Sequence, residues 1–256
     1  MAFDYSVQLY SVRTAMEEDP MGTLRKIKDM GYVGVEGYGA FPAVDDVKRA
    51  MSETGLKIVG YHTRWPLVQD DQIDATLKYF KDIGNKYVIV PMLPAEETVT
   101  IADWKNFADK FNKINKRVQA EGMILGFHNH AIEFTEVDGQ VPFVVFFENT
   151  DPSIVVQIDN GNGMRGNCDV MAGLRKFPGR AKSVHLKPFS KSAERGFAPP
   201  IGEDELDWKE YLYWCRDIGK AEHYIVEYAS ENLHPQMVGI ELCIKNLKAM
   251  EAAGKI

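Results

Sequence analysis

Along the whole chain a phrase recurs in which a segment with apolar residues every three or four positions runs into a glycine and then a short β-branched or aromatic stretch. "LRKIKDMGYVGVEGYG", "VKRAMSETGLKIVGYH", "LKYFKDIGNKYVIVPM", "INKRVQAEGMILGFHNH" and "LYWCRDIGKAEHYIVEY" all have this form, and "LRKFPGRAKSVHLKP" is a sixth version. The first half of each has the period of an amphipathic helix, the second the length and composition of a buried strand. Gly31, Gly55, Gly84, Gly122, Gly179 and Gly219 stand at helix-stop positions. Helix starts are marked by Pro20, by Asp169, and by Asp207 with Glu210 three residues on as a capping box. Adding "YSVQLYSV" and "SIVVQIDNG", the pattern predicts eight strands, seven of them followed by a helix-like stretch before the next, with a final helix closing the series.

Strands alternating with helices at this spacing form parallel βαβ units. At 256 residues the chain has the usual size of one α/β barrel. The expected fold is therefore a single-domain (β/α)8 TIM barrel spanning residues 1–256, with an open doubly wound sheet as the competing arrangement. Against the latter, no Gly-x-Gly-x-x-Gly follows a strand, and "GNGMRGN" lacks that spacing.

Composition narrows the function classes. With 45% hydrophobic and 26% charged residues, the chain reads as an ordinary globular protein, and its apolar runs are strand-sized rather than membrane-sized. The opening "MAFDYSVQLYSV" has no secretory pattern, so a cytoplasmic location is the expectation. Cys168, Cys215 and Cys243 are odd in number and widely spaced, which predicts free thiols. A net charge of −7 without a basic block gives no electrostatic footprint for nucleic acid.

In such a barrel the active site forms where strands end at their C-terminal face. The predicted ends fall near Gln8, Glu36, His62, Pro91, His128, Asp159, His185 and Glu227, a set far richer in ionisable groups than strand interiors. Singly, each reads blandly: Glu36 or His62 as a rim residue, Asp159 as a turn former with Asn160 and Gly161, His185 as a core histidine. Together, Asp159, His185 and Glu227 end three successive strands, and three unpaired polar groups are expensive to bury. A divalent cation resolves this by neutralising the carboxylates and using a neutral histidine nitrogen. A fourth ligand is expected from strand five, in "GFHNHAIEF", where His128 and Glu133 compete. Alternation in "MILGFHNH" puts Ile124, Gly126, His128 and His130 on one face.

At these residues the sequence resembles the xylose-isomerase-like TIM barrel family, often labelled sugar phosphate isomerase/epimerase. The likeness runs nearly end to end through "VQLYSVR", "GYVGVE", "GFHNHAIEF", "QIDNGNGMRGN", "GRAKSVHLKPF", "IGEDELDW" and "YIVEY". It implies one divalent metal held from strands five to eight, with Asp159, His185 and Glu227 as ligands. Many relatives end strand five in a ligand glutamate where this chain has His128, so Glu133 is expected as the fourth ligand. Mn2+ is the first choice of ion, with Mg2+, Co2+, Zn2+ and Fe2+ compatible. Glu227 or Glu133 is expected as base, with His128 or His130 as the opposing acid or hydroxyl anchor. Gln8, Glu36, His62 and Lys187 are the expected substrate contacts. Where relatives often read His-x-Lys-Asp after strand seven, Lys187 is followed by Pro188, opening the long loop "KPFSKSAERGFAPPIGEDELDW" as a candidate lid.

The chemistry that follows is removal of a proton beside a polarised carbonyl, giving an enediolate. Reprotonation makes the enzyme a sugar isomerase or epimerase, the leading expectation. Loss of a β-substituent makes it a lyase or dehydratase of a keto-sugar, 3-keto-glycoside or keto-cyclitol. The expected partner is a small sugar or sugar derivative, with no nucleic acid or membrane, and a homo-oligomer is compatible. An endonuclease at abasic sites, for which the superfamily offers precedent, fits poorly with the acidic chain and its few histidines. A non-catalytic sugar-binding barrel would bind ligand without metal.

Overall fold

The computed structural model describes residues 3–192 and 194–256. Eight parallel strands close into a barrel in sequence order: β1 (Tyr5–Gln8), β2 (Gly34–Tyr38), β3 (Lys57–His62), β4 (Tyr87–Val90), β5 (Ile124–His128), β6 (Val155–Asp159), β7 (Ser183–Leu186) and β8 (His223–Val226). Pairing of Val7 with Val226 between β1 and β8 completes the ring. The open-sheet alternative is excluded by that closure.

Helix punctuation follows the sequence closely. Asp19 accepts from Gly22 N ahead of Pro20–Met30, Asp169 accepts from Met171 N and Ala172 N, and Asp207 accepts from Glu210 N. Five of the six glycine stops are left-handed, with φ between 66° and 97°. Gly219 is the exception at φ −69°, and Lys220 takes the left-handed turn instead at φ 59°. Gly219 is needed for closeness, because a Cβ there would lie 2.8 Å from Cys215 O and 2.9 Å from Ala181 Cβ. The three cysteines are free. Among the described residues, no helix is long and apolar enough to cross a membrane.

Two apolar regions of unequal size build the fold. The large core lies between the outer faces of the strands and the helices, where Phe111, Phe127, Phe146 and Phe147 pack ring against ring. Inside the barrel the separate apolar cluster is small, consisting of Tyr87, Ile89 and Val155 with Ile124 against them. Above this plug the interior is polar: Gln8, Glu36, Gln157, Ser183 and His185 are all buried. Barrels of this kind are usually filled by branched aliphatic side chains, so this interior is organised around hydrogen bonds and charge. Phe146, fully buried and touching three further aromatic rings besides Phe147, tests the outer core. Phe146→Ala is expected to cost about 3–5 kcal/mol of stability in urea unfolding, by lost transfer energy plus cavity.

Candidate metal centre and active site

The barrel brings most of the expected residues together at its C-terminal mouth, with small shifts of position. Gln8, His62, His128 and Asp159 are the last residues of their strands. Glu36 and His185 sit inside β2 and β7, whereas Pro91 and Glu227 lie one residue beyond β4 and β8. His128, Asp159, His185 and Glu227 each offer a ligand atom, all within 4.8 Å of one another, and all four side chains are buried. At their centre is Asp159 Oδ2, buried without a hydrogen-bond partner. It faces His128 Nε2 and His185 Nδ1 at 3.8 Å each and Lys187 Nζ at 3.6 Å. An orphaned carboxylate oxygen ringed by imidazole nitrogens at non-bonding distance suits a divalent ion.

Each candidate ligand is aimed by a residue behind it. Asp159 Oδ1 caps the helix Asn160–Arg165 by accepting from Asn162 N, so the turn-forming role foreseen for Asp159 occupies one oxygen and leaves the other for the cluster. His128 Nδ1 meets Gln157 Oε1 at 3.0 Å, which assigns the ring proton to Nδ1 and leaves the Nε2 lone pair facing Asp159. His185 lies between two carboxylates, Nδ1 to Glu227 Oε2 and Nε2 to Glu36 Oε2, both at 2.7 Å. An ion bound through Nδ1 would leave Nε2–H donating to Glu36, the arrangement common behind metal-ligating histidines.

Electrostatics follows from burial and these contacts. Burial alone would drive His185 down, but Glu36 and Glu227 outweigh it and push it up to about 10. Burial would raise Glu227, yet Lys187 and His185 hold it well below the usual carboxylate range. Burial lowers His128, helped by the neighbouring histidines, so it is already neutral, whereas His185 has to give up a proton before Nδ1 can hold an ion. Asp159 is raised by burial, against the pull of Lys187. Lys187 stays charged because Asp159 and Glu227 overcome its desolvation.

Several expected roles change with position. Glu133 stands outside the cluster, because its loop turns back and Oε2 accepts from His130 N at 2.7 Å. Burial raises its carboxyl to about 7. His128 takes the strand-five place among the clustered groups. His130 does not continue the strand, since β5 stops at His128. Its ring lies 5.1 Å from that of His128, with Nδ1 buried and unpartnered. Burial and the Lys187 charge hold it down to about 4, so near neutrality it carries no imidazolium proton, which suits a hydroxyl anchor rather than an acid.

Gln8 and Glu36 lie below the mouth: Gln8 Nε2 donates to Glu36, whose carboxylate also takes Gln157 and His185. Neither is exposed at the mouth, and Glu36 meets it through His185 and His62. His62, 11% exposed, holds Gln157 Oε1 at 2.8 Å and Glu36 at 3.2 Å. Lys187 donates to Glu227 Oε1 at 2.9 Å and is the expected substrate contact that stands within the cluster.

The sequence reading passed over Gln157 and Asn129 and gave Asn160 only a turn-forming role. Gln157 joins four partners, taking His62 and His128 on Oε1 and giving to Glu36 and Ser183 from Nε2. Its position two residues before Asp159 puts both on the inward face of β6, a signal available from alternation. Asn129 pairs with both backbone groups of Asp159, and Asn160 does the same for Lys187. The long loop after β7 is pinned down rather than hanging free: Tyr228 donates to Ala198 O, Ile201 N to Cys243 Sγ and Ser190 Oγ to Glu205.

With the geometry in view, comparison places the chain in a family. Residues 24–250 match the xylose isomerase-like TIM barrel family model, and the chain belongs to that family. It is 26% identical over 276 aligned positions to an inosose dehydratase of Clostridium perfringens, covering 90% of this chain and 92% of that protein. The fold matches a sugar phosphate isomerase/epimerase from Parabacteroides distasonis with a TM-score of 0.82, 22% identity, and 97% and 95% of the two chains covered. It also matches the IOLI protein with a binding zinc atom, with a TM-score of 0.73, 13% identity, and 99% of each chain covered.

The hub position of Gln157 gives a direct test. Gln157→Leu leaves four partners short of a hydrogen bond, three of them buried (Glu36, His128 and Ser183), each worth about 1–3 kcal/mol when unsatisfied. Even after relaxation, denaturant unfolding is expected to show a loss of about 2 kcal/mol or more. Metal content measured by elemental analysis should fall with it, because His128 loses its fixed tautomer.

Proposed function

We propose that this chain is a divalent-metal-dependent lyase of the dehydratase type, acting on a keto-cyclitol or keto-sugar by proton removal beside the carbonyl and loss of a β-oxygen substituent. The observation that carries the reading is the unpartnered Asp159 Oδ2 at the centre of four convergent ligand groups. His128 Nε2, Asp159 Oδ2, His185 Nδ1 and a Glu227 oxygen would hold the ion. Bound there, it supplies a Lewis acid that polarises the carbonyl and acidifies the adjacent C–H. Two nitrogens and two oxygens form a softer set than one built on Glu133, so Zn2+ and Co2+ join Mn2+ as candidates.

In this reading Glu227 is the base, kept ionised by Lys187 and His185. Lys187, charged and 2.9 Å from Glu227 Oε1, donates a proton to the departing oxygen. His130 anchors a substrate hydroxyl through its unpartnered Nδ1. Glu133 fixes the loop that carries His130.

Elimination is favoured over epimerisation by the chemistry of the donors. Moving a proton to the opposite face calls for a second base opposite Glu227. That place is held by His128, whose Nδ1 is committed to Gln157 and whose Nε2 faces the ion position. Elimination calls for one base and one acid, which Glu227 and Lys187 supply as a pair. The near full-length likeness to an inosose dehydratase supports the same outcome. A sugar isomerase or epimerase is the second reading, and the two share the first proton transfer.

Two measurements decide. Elemental analysis after reconstitution should find about one divalent ion per chain, with occupancy lowered in Asp159→Asn and His128→Ala and retained in Glu133→Ala. Loss in Glu133→Ala with retention in His128→Ala would restore Glu133 as the fourth ligand. Incubation with an inosose and with keto-sugars in deuterium oxide should give an unsaturated ketone, followed by ultraviolet absorbance. Replacing Lys187 by Gln should slow its formation about 10²-fold or more while C–H exchange continues. An isomeric or epimeric sugar with no group lost would establish the second reading instead.

A further inference from the structure

Beside the candidate ion cluster, the loops after β1, β7 and β8 border an open groove of about 470 Å3. Arg13, Arg195, Phe197, Ser230, Glu231 and Asn232 line it. Phe197 joins the groove to the cluster, because its ring lies 4.9 Å from Lys187 Nζ. The opposite wall is set by Glu231, four residues after Glu227, which pairs with Arg13 and also accepts from Gln236.

The cluster is deep and the groove is outside it. His128, Asp159, His185 and Glu227 are at most 6% exposed, so they reach a carbonyl and its neighbouring carbons while the rest of a substrate lies outward. A volume of 470 Å3 lies within the range of about 300–1,000 Å3 typical of clefts that take drug-sized ligands, far more than a departing water needs. The lining selects the kind of group. A site for an aromatic substituent is predominantly apolar, whereas this groove has Phe197 as its single aromatic side chain among charged, hydroxyl and amide groups. A phosphate calls for uncommitted cations, but Arg13 is paired with Glu231, and Arg195, beside Glu194, donates to Glu203 O. A sugar ring has an apolar C–H face for Phe197 and uncharged hydroxyls, which Ser230, Asn232 and the remaining donor and acceptor positions of the paired Arg13 and Glu231 can take without breaking that pair.

We infer that the groove is a subsite for a second sugar ring, joined through oxygen to the keto-sugar ring held at the cluster. The inference rests on the lyase reading, and it makes the second sugar the leaving group. The C–H proton passes to Glu227 and the C–O bond to the second sugar breaks. The electron pair leaves on that oxygen, Lys187 protonates it, and Glu227 returns a proton to Lys187. The products are an unsaturated keto-sugar and the free second sugar, and no oxidant or co-reactant is consumed.

The test measures binding first and turnover second. Calorimetric titration of the Mn2+-loaded protein with cellobiose, maltose and trehalose, against methyl and phenyl glucosides, should show at least one disaccharide binding about tenfold tighter than the methyl glucosides. Phe197→Ala and, independently, Asn232→Ala should remove that advantage while leaving the affinity for methyl glucoside within about twofold. Methyl or phenyl glucosides binding as tightly as every disaccharide, or variants that weaken all ligands equally, would overturn the subsite. The 3-keto forms of the same compounds are then assayed for release of the second sugar. Disaccharide preference without any turnover would leave the subsite standing and sink the lyase reading. Turnover equally fast with methyl 3-keto-glucosides would keep the lyase and sink the subsite.

Discussion

The arrangement at the mouth depends on His185 being held between two buried carboxylates. Its ring is fully enclosed, with 2.7 Å contacts to Glu36 on one nitrogen and Glu227 on the other. Removing one partner from a buried charged pair costs several kcal/mol, because the remaining charge is stranded away from water. Neither carboxylate is therefore free to drift. Glu36 is itself braced by Gln8 and Gln157, and Glu227 by Lys187. Fixing one imidazole thus propagates around the barrel from β1 through β2, β6, β7 and β8.

This polar interior is compatible with a stable fold because the two tasks are separated in space. The apolar area that opposes chain entropy lies mostly outside the strands, among the helices and their aromatic side chains. Inside the barrel, a small cluster of Tyr87, Ile89, Val155 and Ile124 closes the floor. Replacing aliphatic layers with hydrogen-bonded groups is tolerated where each group finds a partner, and Gln157 alone satisfies four. At the mouth, Asp159 Oδ2 and His130 Nδ1 are exceptions, and Asp159 Oδ2 sits where the candidate ligand groups converge.

The barrel was legible in the sequence because its signals are local: a 3.6-residue apolar period, a glycine stop and a strand-length run, repeated. The positions of Asp159, His185 and Glu227 followed from strand ends alone. What failed to follow were features set by side-chain direction after the chain leaves a strand. Glu133 lies five residues beyond His128, where a short turn, not strand alternation, decides its aim, and it points back to His130 N. Gly219 shows the same limit from another side: its helix-stop pattern is sound, yet packing against Ala181 and Cys215 dictates the residue and shifts the left-handed turn to Lys220. Gln157 was overlooked for a different reason, since a neutral amide carries no chemical signature until the partners around it are known.

Asn129 and Asn160 have a consequence beyond geometry. By pairing with the backbone at Asp159 and Lys187, they bind the ends of β5, β6 and β7 into one arc. The loops after β1 and β8 are tied instead to each other, through the surface side chains of Arg13 and Glu231. Sequence drift can therefore remodel the outer parts of the loops after β1 and β8 while the arc that carries His128, Asp159 and His185 stays in register. A fold divided in this way can change what it recognises without rebuilding how it reacts, which gives one scaffold room to diversify across many substrates.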